Sequence, residues 1–358
     1  MNFVNEINGI PQVDVQNHQD FDDHRSVSFL SDTKTGLKAY VAIHRKNPAV
    51  PSFGATRLWN YASEAEALQD SLRLSRIMSY KAALAGLPCG GAKGVIIEPE
   101  GHYDRKALLE SYADQINQLG GQFITGTDVG LMQEDLPIMR AKSPHIIGLN
   151  DNSTLCTAQG LLTAIKVSLK EVFGSESLSE RSIAIQGVGK VGTGLLRLLN
   201  EEDRAQVYIA DINQMCIDIA LKIFPTAKVV SSERIYEVQA DVFSPSALGS
   251  VINAQTVSKL NCRIVAGGAN DQLEDESMGA SLYEKGILYA PDYVVNAGGL
   301  IAVFDEYQYG SPDKERLTIR FKKIAHCLEN IFEQSRSKHL PTNIIADRLA
   351  ERIFNSYH

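Results

Sequence analysis

Apolar and polar positions change their period several times along the chain, and each change predicts an element. LKAYVAIH alternates through Ala39, Val41 and Ile43, which predicts a strand over Leu37–His44. Ser63 stands three residues before Glu66, the spacing at which each side chain satisfies a free backbone amide at a helix start. Ala67, Leu74, Met78, Ala82 and Ala85 then recur at helical intervals until Gly86 stops the helix. CGGAKG (89–94) reads as a glycine-rich loop leading into a strand at Val95–Glu98. A second helix from Asp104 to Gly120 carries Leu108, Tyr112, Ile116 and Leu119 on one face, and a strand follows at Gln122–Thr125. This is one α/β domain, over residues 1–147.

The stretch LNDNSTLC (Leu149–Cys156) is polar and turn-rich and predicts a hinge. Past it, Ala158–Phe173 is an apolar helix ended by Gly174. Strands at Ser182–Gln186, Gln206–Asp211 and Lys228–Val230 then alternate with helices at 190–201 and 214–223. Shorter strands follow at Asp241–Phe243, Arg263–Gly267 and Leu288–Tyr289. Such alternation implies parallel pairing in a doubly wound sheet. A long amphipathic helix, with Ile319, Ile324, Leu328, Ile331 and Phe332 on its apolar side, ends near Pro341, and a last helix covers Asn343–Tyr357. The expected architecture is two α/β domains with a deep cleft between them. Residues 1–147 plus 338–358 form the substrate and oligomerisation domain, and 148–337 form a Rossmann-type domain.

Composition narrows the function. With 43 acidic against 35 basic residues the net charge is −8, which removes the general attraction to nucleic acid or anionic membranes. No apolar run approaches the ~20 residues needed to cross a bilayer, and the N-terminus lacks the basic and apolar parts of a signal peptide, so a cytoplasmic location is expected. The five cysteines are scattered without a C-x-x-C pair, and the histidines show no metal-binding spacing, so no metal is expected.

Three motifs carry chemistry. GVGKVG (187–192) follows the apolar strand SIAIQ, opens a helix, and is followed by Asp211 at the end of QVYIAD. That is a dinucleotide fingerprint in its required context. Gly187 permits the turn, Gly189 lets the backbone approach a pyrophosphate, and Gly192 allows close packing of helix on strand. The unpaired amides of the helix N-terminus favour the anion. Asp211 can accept hydrogen bonds from both ribose hydroxyls of NAD and would repel a 2′-phosphate, and its neighbours Ile212 and Asn213 supply no cation, so NAD is favoured over NADP. The second motif is the lysine pair Lys81 and Lys93. Glycines around Lys93, including Gly90 and Gly91, would let a ligand come close to the backbone. Two ammonium groups facing one dry cleft would disfavour each other's charge, leaving one lysine as a base and the other as an anchor for a carboxylate. Lowering a lysine by about three units takes about 4 kcal/mol; solvated surface lysines are the alternative. Third, Asp128 in ITGTDVG directly follows a strand, either at a ligand-binding sheet edge or as a helix cap.

These segments, in their order, resemble the glutamate, leucine, phenylalanine and valine dehydrogenase superfamily, most of all its leucine and phenylalanine branch. The resemblance rests on TGLKAYVAIH (35–44), the stretch from GATR to GGAKGVII (54–97), TGTDVG (125–130), QGVGKVG (186–192), ADIN (210–213), GGANDQL (267–273) and YAPDYVVNAGGLI (289–301). It departs in reading GATR for GGTR, in a short segment between Gly148 and Thr157, and in ending soon after the last helix.

The resemblance implies reversible oxidative deamination of an L-amino acid to a 2-oxo acid and ammonium with NAD. In it Lys93 is the general base that activates water, Lys81 pairs with the substrate α-carboxylate, and Asp128 exchanges a proton with the amino group. Asn270 and Asn296 line the site beside the nicotinamide. Thr157, Val188, Lys190, Val191, Ile212 and Ala266 complete the expected cofactor contacts. The side-chain pocket is implied to be Leu37, Gly126, Leu300 and Val303. Glutamate-using relatives carry lysine and serine at the positions of Leu37 and Val303, so a second carboxylate would here be buried without a partner. Leucine-type relatives tend to carry alanine at the position of Gly126 and phenylalanine-type relatives glycine. The expected substrate is therefore leucine-like, extending through Gly126 to phenylalanine and tryptophan, in a homo-oligomer. An aromatic-selective biosynthetic enzyme is one alternative. A non-catalytic NAD-binding regulatory protein on the same fold is another, although such a protein would be free to lose Lys81, Lys93 and Asp128.

Overall fold

The computed structural model describes residues 15–44, 51–149, 153–201, 205–247 and 249–356. They form two compact units. The first comprises the described residues through Leu149 with Val303–Ser311 and the residues from Ile353 onward; the second comprises those from Ser153 to Ala302 and Pro312–Arg352.

In the first unit the order is β1 (His24–Asp32), β2 (Leu37–His44), β3 (Ser52–Phe53), β4 (Thr56–Trp59), α1 (Glu64–Leu84), β5 (Gly90–Ile97), α2 (Arg105–Gln118), β6 (Phe123–Ile124) and α3 (Asp135–Arg140). The sheet runs β1-β2-β5-β3-β6, with β4 also on β5. Its β1/β2 and β2/β5 pairs are antiparallel, and β3 and β4 run parallel to β5. The alternation in β2 sorts its side chains cleanly. Leu37, Ala39, Val41 and Ile43 join Leu108, Leu109 and Tyr112 of α2 in one core, while Tyr40 and Ala42 join Leu68 and Leu72 of α1 in another. The α1 start is as expected: the Glu66 amide donates to Ser63 Oγ at 3.2 Å. The reciprocal bond falls one residue early, from the Ala62 amide to Glu66 Oε2 at 2.9 Å.

One expectation is corrected here. CGGAKG is not a loop, because Gly90 onward is already β5, hydrogen-bonded on both edges at the middle of the sheet. Its glycines make room for protein. A Cβ on Gly91 would lie 2.1 Å from the Ser79 amide nitrogen and 2.5 Å from the Ser75 carbonyl oxygen, both on α1. One on Gly94 would lie 2.2 Å from Tyr112 Oη on the other face. The strand is thereby clasped between two helices, and the Gly91 amide donates to Ser79 Oγ at 2.8 Å.

The second unit is built from α4 (Ser153–Phe173), β7 (Ser182–Gln186), α5 (Lys190–Glu201), β8 (Gln206–Ala210), α6 (Gln214–Ile223), β9 (Lys228–Val229), β10 (Val242–Pro245), β11 (Ile264–Val265), α7 (Glu276–Glu284), β12 (Leu288–Tyr289), α8 (Asp292–Val295), α9 (Gly298–Tyr309), α10 (Lys314–Lys338) and α11 (Thr342–Asn355), although the later part of α9 and the last residues of α11 do not belong to it. Its sheet is parallel throughout, in the order β12-β11-β10-β7-β8-β9, the Rossmann arrangement that the strand–helix alternation predicts.

Three further expectations meet a different structure. Residues 150–152 of the proposed hinge lie outside the described residues, and Ser153–Cys156 already form the first turn of α4. Ile319, expected on the apolar side of α10, is 61% exposed, since the buried stripe runs through Leu317, Phe321, Ile324, Leu328, Ile331 and Phe332. Residues 338–352 pack with the second unit, not the first: Thr342 Oγ1 donates to the Tyr289 carbonyl at 2.6 Å, and Asn343 fills the space left by Gly279. In exchange, Val303–Tyr309 of α9 belong to the first unit, where Phe304 and Tyr307 pack on Phe53.

Gly91→Ala should destabilise the first unit by about 3 kcal/mol or more, since the added methyl meets helix backbone that cannot step aside. A thermal or denaturant unfolding curve checks this. A wild-type midpoint would refute the packing role.

Candidate active site

The first unit gathers charge around Asp128. Lys93 is reached by counting along β5: Ala92, Gly94 and Ile96 face α2, so Gly91, Lys93 and Val95 face α1. Asp128 follows β6 and is held by backbone, its amide donating to the Thr56 carbonyl at 3.0 Å. The Lys93 ammonium donates to Asp128 Oδ2. Arg57, on β4 directly beside β5, donates through Nε to the same Oδ2 at 3.3 Å. The other end of that guanidinium donates to Asp70 Oδ2 on α1 at 2.9 Å, an oxygen that also accepts from Tyr61 Oη at 2.6 Å. Arg73 donates to Asp70 Oδ1 at 3.0 Å. Burial alone would raise the Asp128 carboxyl, but the adjacent Lys93 and Arg57 charges outweigh it and hold it far below the usual carboxylate range. Tyr61 moves the other way, its phenol raised by burial and by the Asp70 carboxylate beside it.

The ion pair with Asp128 is a contact of Lys93 that sequence reasoning did not foresee. Both lysines are buried, Lys81 near the end of α1 at 8% exposure and Lys93 at 5%. Gly90 and Gly91, expected at the substrate, lie within β5, and the absent side chain of Gly91 is accounted for by α1. Leu37 is also corrected. It is 1% exposed in the α2-side core, on the sheet face opposite Lys93. Gly126 lies two residues before Asp128 and accepts from the Thr56 amide at 2.9 Å, and a methyl there would sit 3.0 Å from the Ile147 carbonyl oxygen. Leu300 and Val303 lie about a turn apart on α9. Sequence reasoning missed Arg57, Tyr61, Asp70 and Arg73. The only signal was a cation on the short strand TRLW, which is weak taken alone.

In the second unit the motif residues converge on the carboxyl ends of β7, β8, β10 and β11, where a parallel sheet of this kind binds its ligand. Gly187 has φ +90°, and a Cβ there would meet Ala247; Gly192 abuts the Gly187 carbonyl oxygen, 2.2 Å from where its Cβ would be. Gly189 faces open space. The turn at Gly187 and the close packing at Gly192 are as expected of those two glycines. Asp211 accepts from the Val188 amide through Oδ2 and from the Asn213 amide through Oδ1, both at 2.8 Å, so it also braces the turn. Lys190 and Val191 open α5, and Val191 is overlaid by the loop carrying Gly268. Ile212 is 94% exposed at the tip of the following loop. Asn296 Nδ2 donates to Asn270 Oδ1 at 2.8 Å, bringing that expected pair together. Asn296 Oδ1 is buried without a hydrogen-bond partner. Ala266 is buried at the end of β11, and Thr157 Oγ1 donates to the Ser153 carbonyl at 2.9 Å on α4. An open glycine turn, a carboxylate at the next strand end and an orphaned amide oxygen together fit a dinucleotide.

Two family models match the chain, one described as the Glu/Leu/Phe/Val dehydrogenase dimerisation domain over residues 24–145, the other as Glutamate/Leucine/Phenylalanine/Valine dehydrogenase over 215–345. The chain is 40% identical to a leucine dehydrogenase of Geobacillus stearothermophilus, covering 92% of this chain and 90% of that one. It is 39% identical to a phenylalanine dehydrogenase of Lysinibacillus sphaericus, covering 92% and 88%. With an L-tryptophan dehydrogenase of Nostoc punctiforme the identity is 40%, over 93% of this chain and 94% of that one. The crystal structure of that enzyme superposes with a TM-score of 0.80 at 37% identity, over 93% of this chain and 96% of the other. Two α/β units, one of them Rossmann-like, and likeness along nearly the whole length lead to one conclusion: this chain belongs to the Glu/Leu/Phe/Val dehydrogenase family.

Proposed function

We propose that the chain is an NAD-dependent dehydrogenase that reversibly deaminates a hydrophobic L-amino acid to its 2-oxo acid and ammonium. The observation that carries this reading is the ion pair between buried Lys93 and largely shielded Asp128, in a chain that also has the complete glycine turn. A structural lysine gains little from such burial, whereas proton exchange uses a donor and an acceptor held within hydrogen-bond reach of each other. In this reading Lys81 holds the α-carboxylate, Asp128 exchanges a proton with the amino group, and Lys93 withdraws one from the attacking water. NAD would supply the hydride acceptor. Gly187, Val188, Gly189, Lys190, Val191 and Gly192 would hold its pyrophosphate, Asp211 and Ile212 its adenosine ribose, and Thr157, Ala266, Asn270 and Asn296 its nicotinamide end.

Leu300 and Val303 present only hydrocarbon, which favours an apolar side chain over glutamate. Gly126 favours aromatic substrates as well. We further propose a cytoplasmic homo-oligomer, assembled through the unit that matches the dimerisation-domain model. Among the described residues no helix is long and apolar enough to cross a membrane. A non-catalytic NAD-binding protein would have no use for Lys81, Lys93 and Asp128 together.

Lys93→Ala and Asp128→Asn should each lower kcat by a factor of ~10²–10⁴ with NAD binding intact. Lys81→Ala should act mainly on the amino-acid KM, because its contact is made in the ground state too. Steady-state kinetics with a cofactor titration separate these effects, and near-normal turnover in Lys93→Ala would end the assignment.

Asp211→Ser should weaken NAD by about tenfold or more and narrow its advantage over NADP, since one carboxylate is expected to serve both ribose and turn. Comparing kcat/KM for the two cofactors decides it. An unchanged ratio would remove Asp211 from the cofactor site.

For the substrate, kcat/KM with Leu, Val, Phe, Trp and Glu should place glutamate last. Gly126→Ala should lower the aromatic-to-aliphatic ratio by about 1–3 kcal/mol of discrimination. Its methyl presses on the Ile147 carbonyl, so a melting curve should accompany the kinetics. An unmoved ratio in a folded variant would exclude Gly126 from the pocket.

A further inference from the structure

Two cations meet one carboxylate oxygen in the first unit, and only one of them belongs to the proposed proton exchange. Lys93 must give up and regain its proton if it serves as a base. Arg57 keeps its charge under all working conditions, because a guanidinium does not deprotonate in proteins. It is also immobilised. Its Nε is on Asp128 Oδ2 at 3.3 Å, its Nη1 is on Asp70 Oδ2 at 2.9 Å, and Asp70 is in turn fixed by Tyr61 Oη at 2.6 Å and Arg73 at 3.0 Å. The side chain is only 21% exposed, so its field on Asp128 is weakly screened.

We propose that Arg57 is a positioning residue which keeps Asp128 ionised throughout the catalytic cycle. This rests on the reading of Lys93 as base given above. When Lys93 is neutral, the Asp128 carboxylate loses one of its two counter-charges in a site where burial favours the protonated acid. Without Arg57 the proton would settle on Asp128, the group meant to exchange it with the substrate. The charged groups facing Asp128 come from β5 (Lys93) and β4 (Arg57). Behind Arg57 stand Asp70 and Arg73 of α1 and the neutral phenol of Tyr61. A lysine in place of Arg57 would carry the charge but could not span two carboxylates in one plane.

The test is the pH profile of kcat/KM for oxidative deamination. Loss of the positive charge in Arg57→Gln should move the acid limb to higher pH by about one unit, besides lowering the plateau. Arg57→Lys should return the limb to within a few tenths of a unit of wild type and recover part of the plateau. Asp70→Asn leaves the Arg57 charge in place and should not move the limb to higher pH, which keeps the proposal testable if Arg57→Gln does not fold. A limb that stays put in folded Arg57→Gln, or that moves alkaline in Asp70→Asn, would overturn the proposal and leave Arg57 a structural residue. Lys93→Ala is measured alongside. If it retains turnover, the base assignment has failed first; if it is inactive while the Arg57→Gln limb is unmoved, the failure is confined to Arg57.

Discussion

The first unit depends on a single carboxylate oxygen. Asp128 Oδ2 accepts from Lys93 on the central strand and from Arg57 on the neighbouring one, and the backbone amide of Asp128 is tied to Thr56 at the start of that same strand. Moving Asp128 would therefore disturb β4 and β5 at once. Burying such a pair gives little net stability, because desolvation of both ions offsets most of their attraction. On the proposed reading, what the burial does give is a proton donor and acceptor held in fixed contact with little exposure to bulk water. The glycines of β5 serve the same end from the other direction. By admitting α1 and α2 to backbone contact they make the strand a rigid mount for Lys93.

The second unit uses another economy. Gly187 turns the chain, Gly192 admits the helix to the strand, and Asp211, the residue proposed to read the ribose, also accepts the Val188 amide of the turn. A turn braced by the residue that would read the cofactor keeps its shape before the cofactor arrives. Little has to be ordered on binding, which is where flexible loops lose affinity.

How much of this was legible depended on whether the governing interaction was local. The β2 alternation and the Ser63–Glu66 cap are written in neighbouring residues, and both were read to within a residue. The GVGKVG turn was legible because strand, turn, helix and acid occur in order within a short span. CGGAKG was not, since glycines suit a loop and a clasped strand equally, and only the arrival of α1 on Gly91 decides between them. Ile319 followed the helical period, but how wide a stripe becomes buried depends on what packs against it. Leu37 matched a motif, yet the register of β2 turns it to the face away from Lys93. Arg57 left almost no trace, because its partners lie 13 and 71 residues away and no spacing rule connects them.

Arg57 also makes two distant carboxylates electrically one body. Its guanidinium touches Asp128 Oδ2 at 3.3 Å and Asp70 Oδ2 at 2.9 Å, so a change of charge on either acid reaches the other through one immobile cation. Substitutions at the two acids are therefore not independent events, although one acid lies on α1 and the other beyond β6.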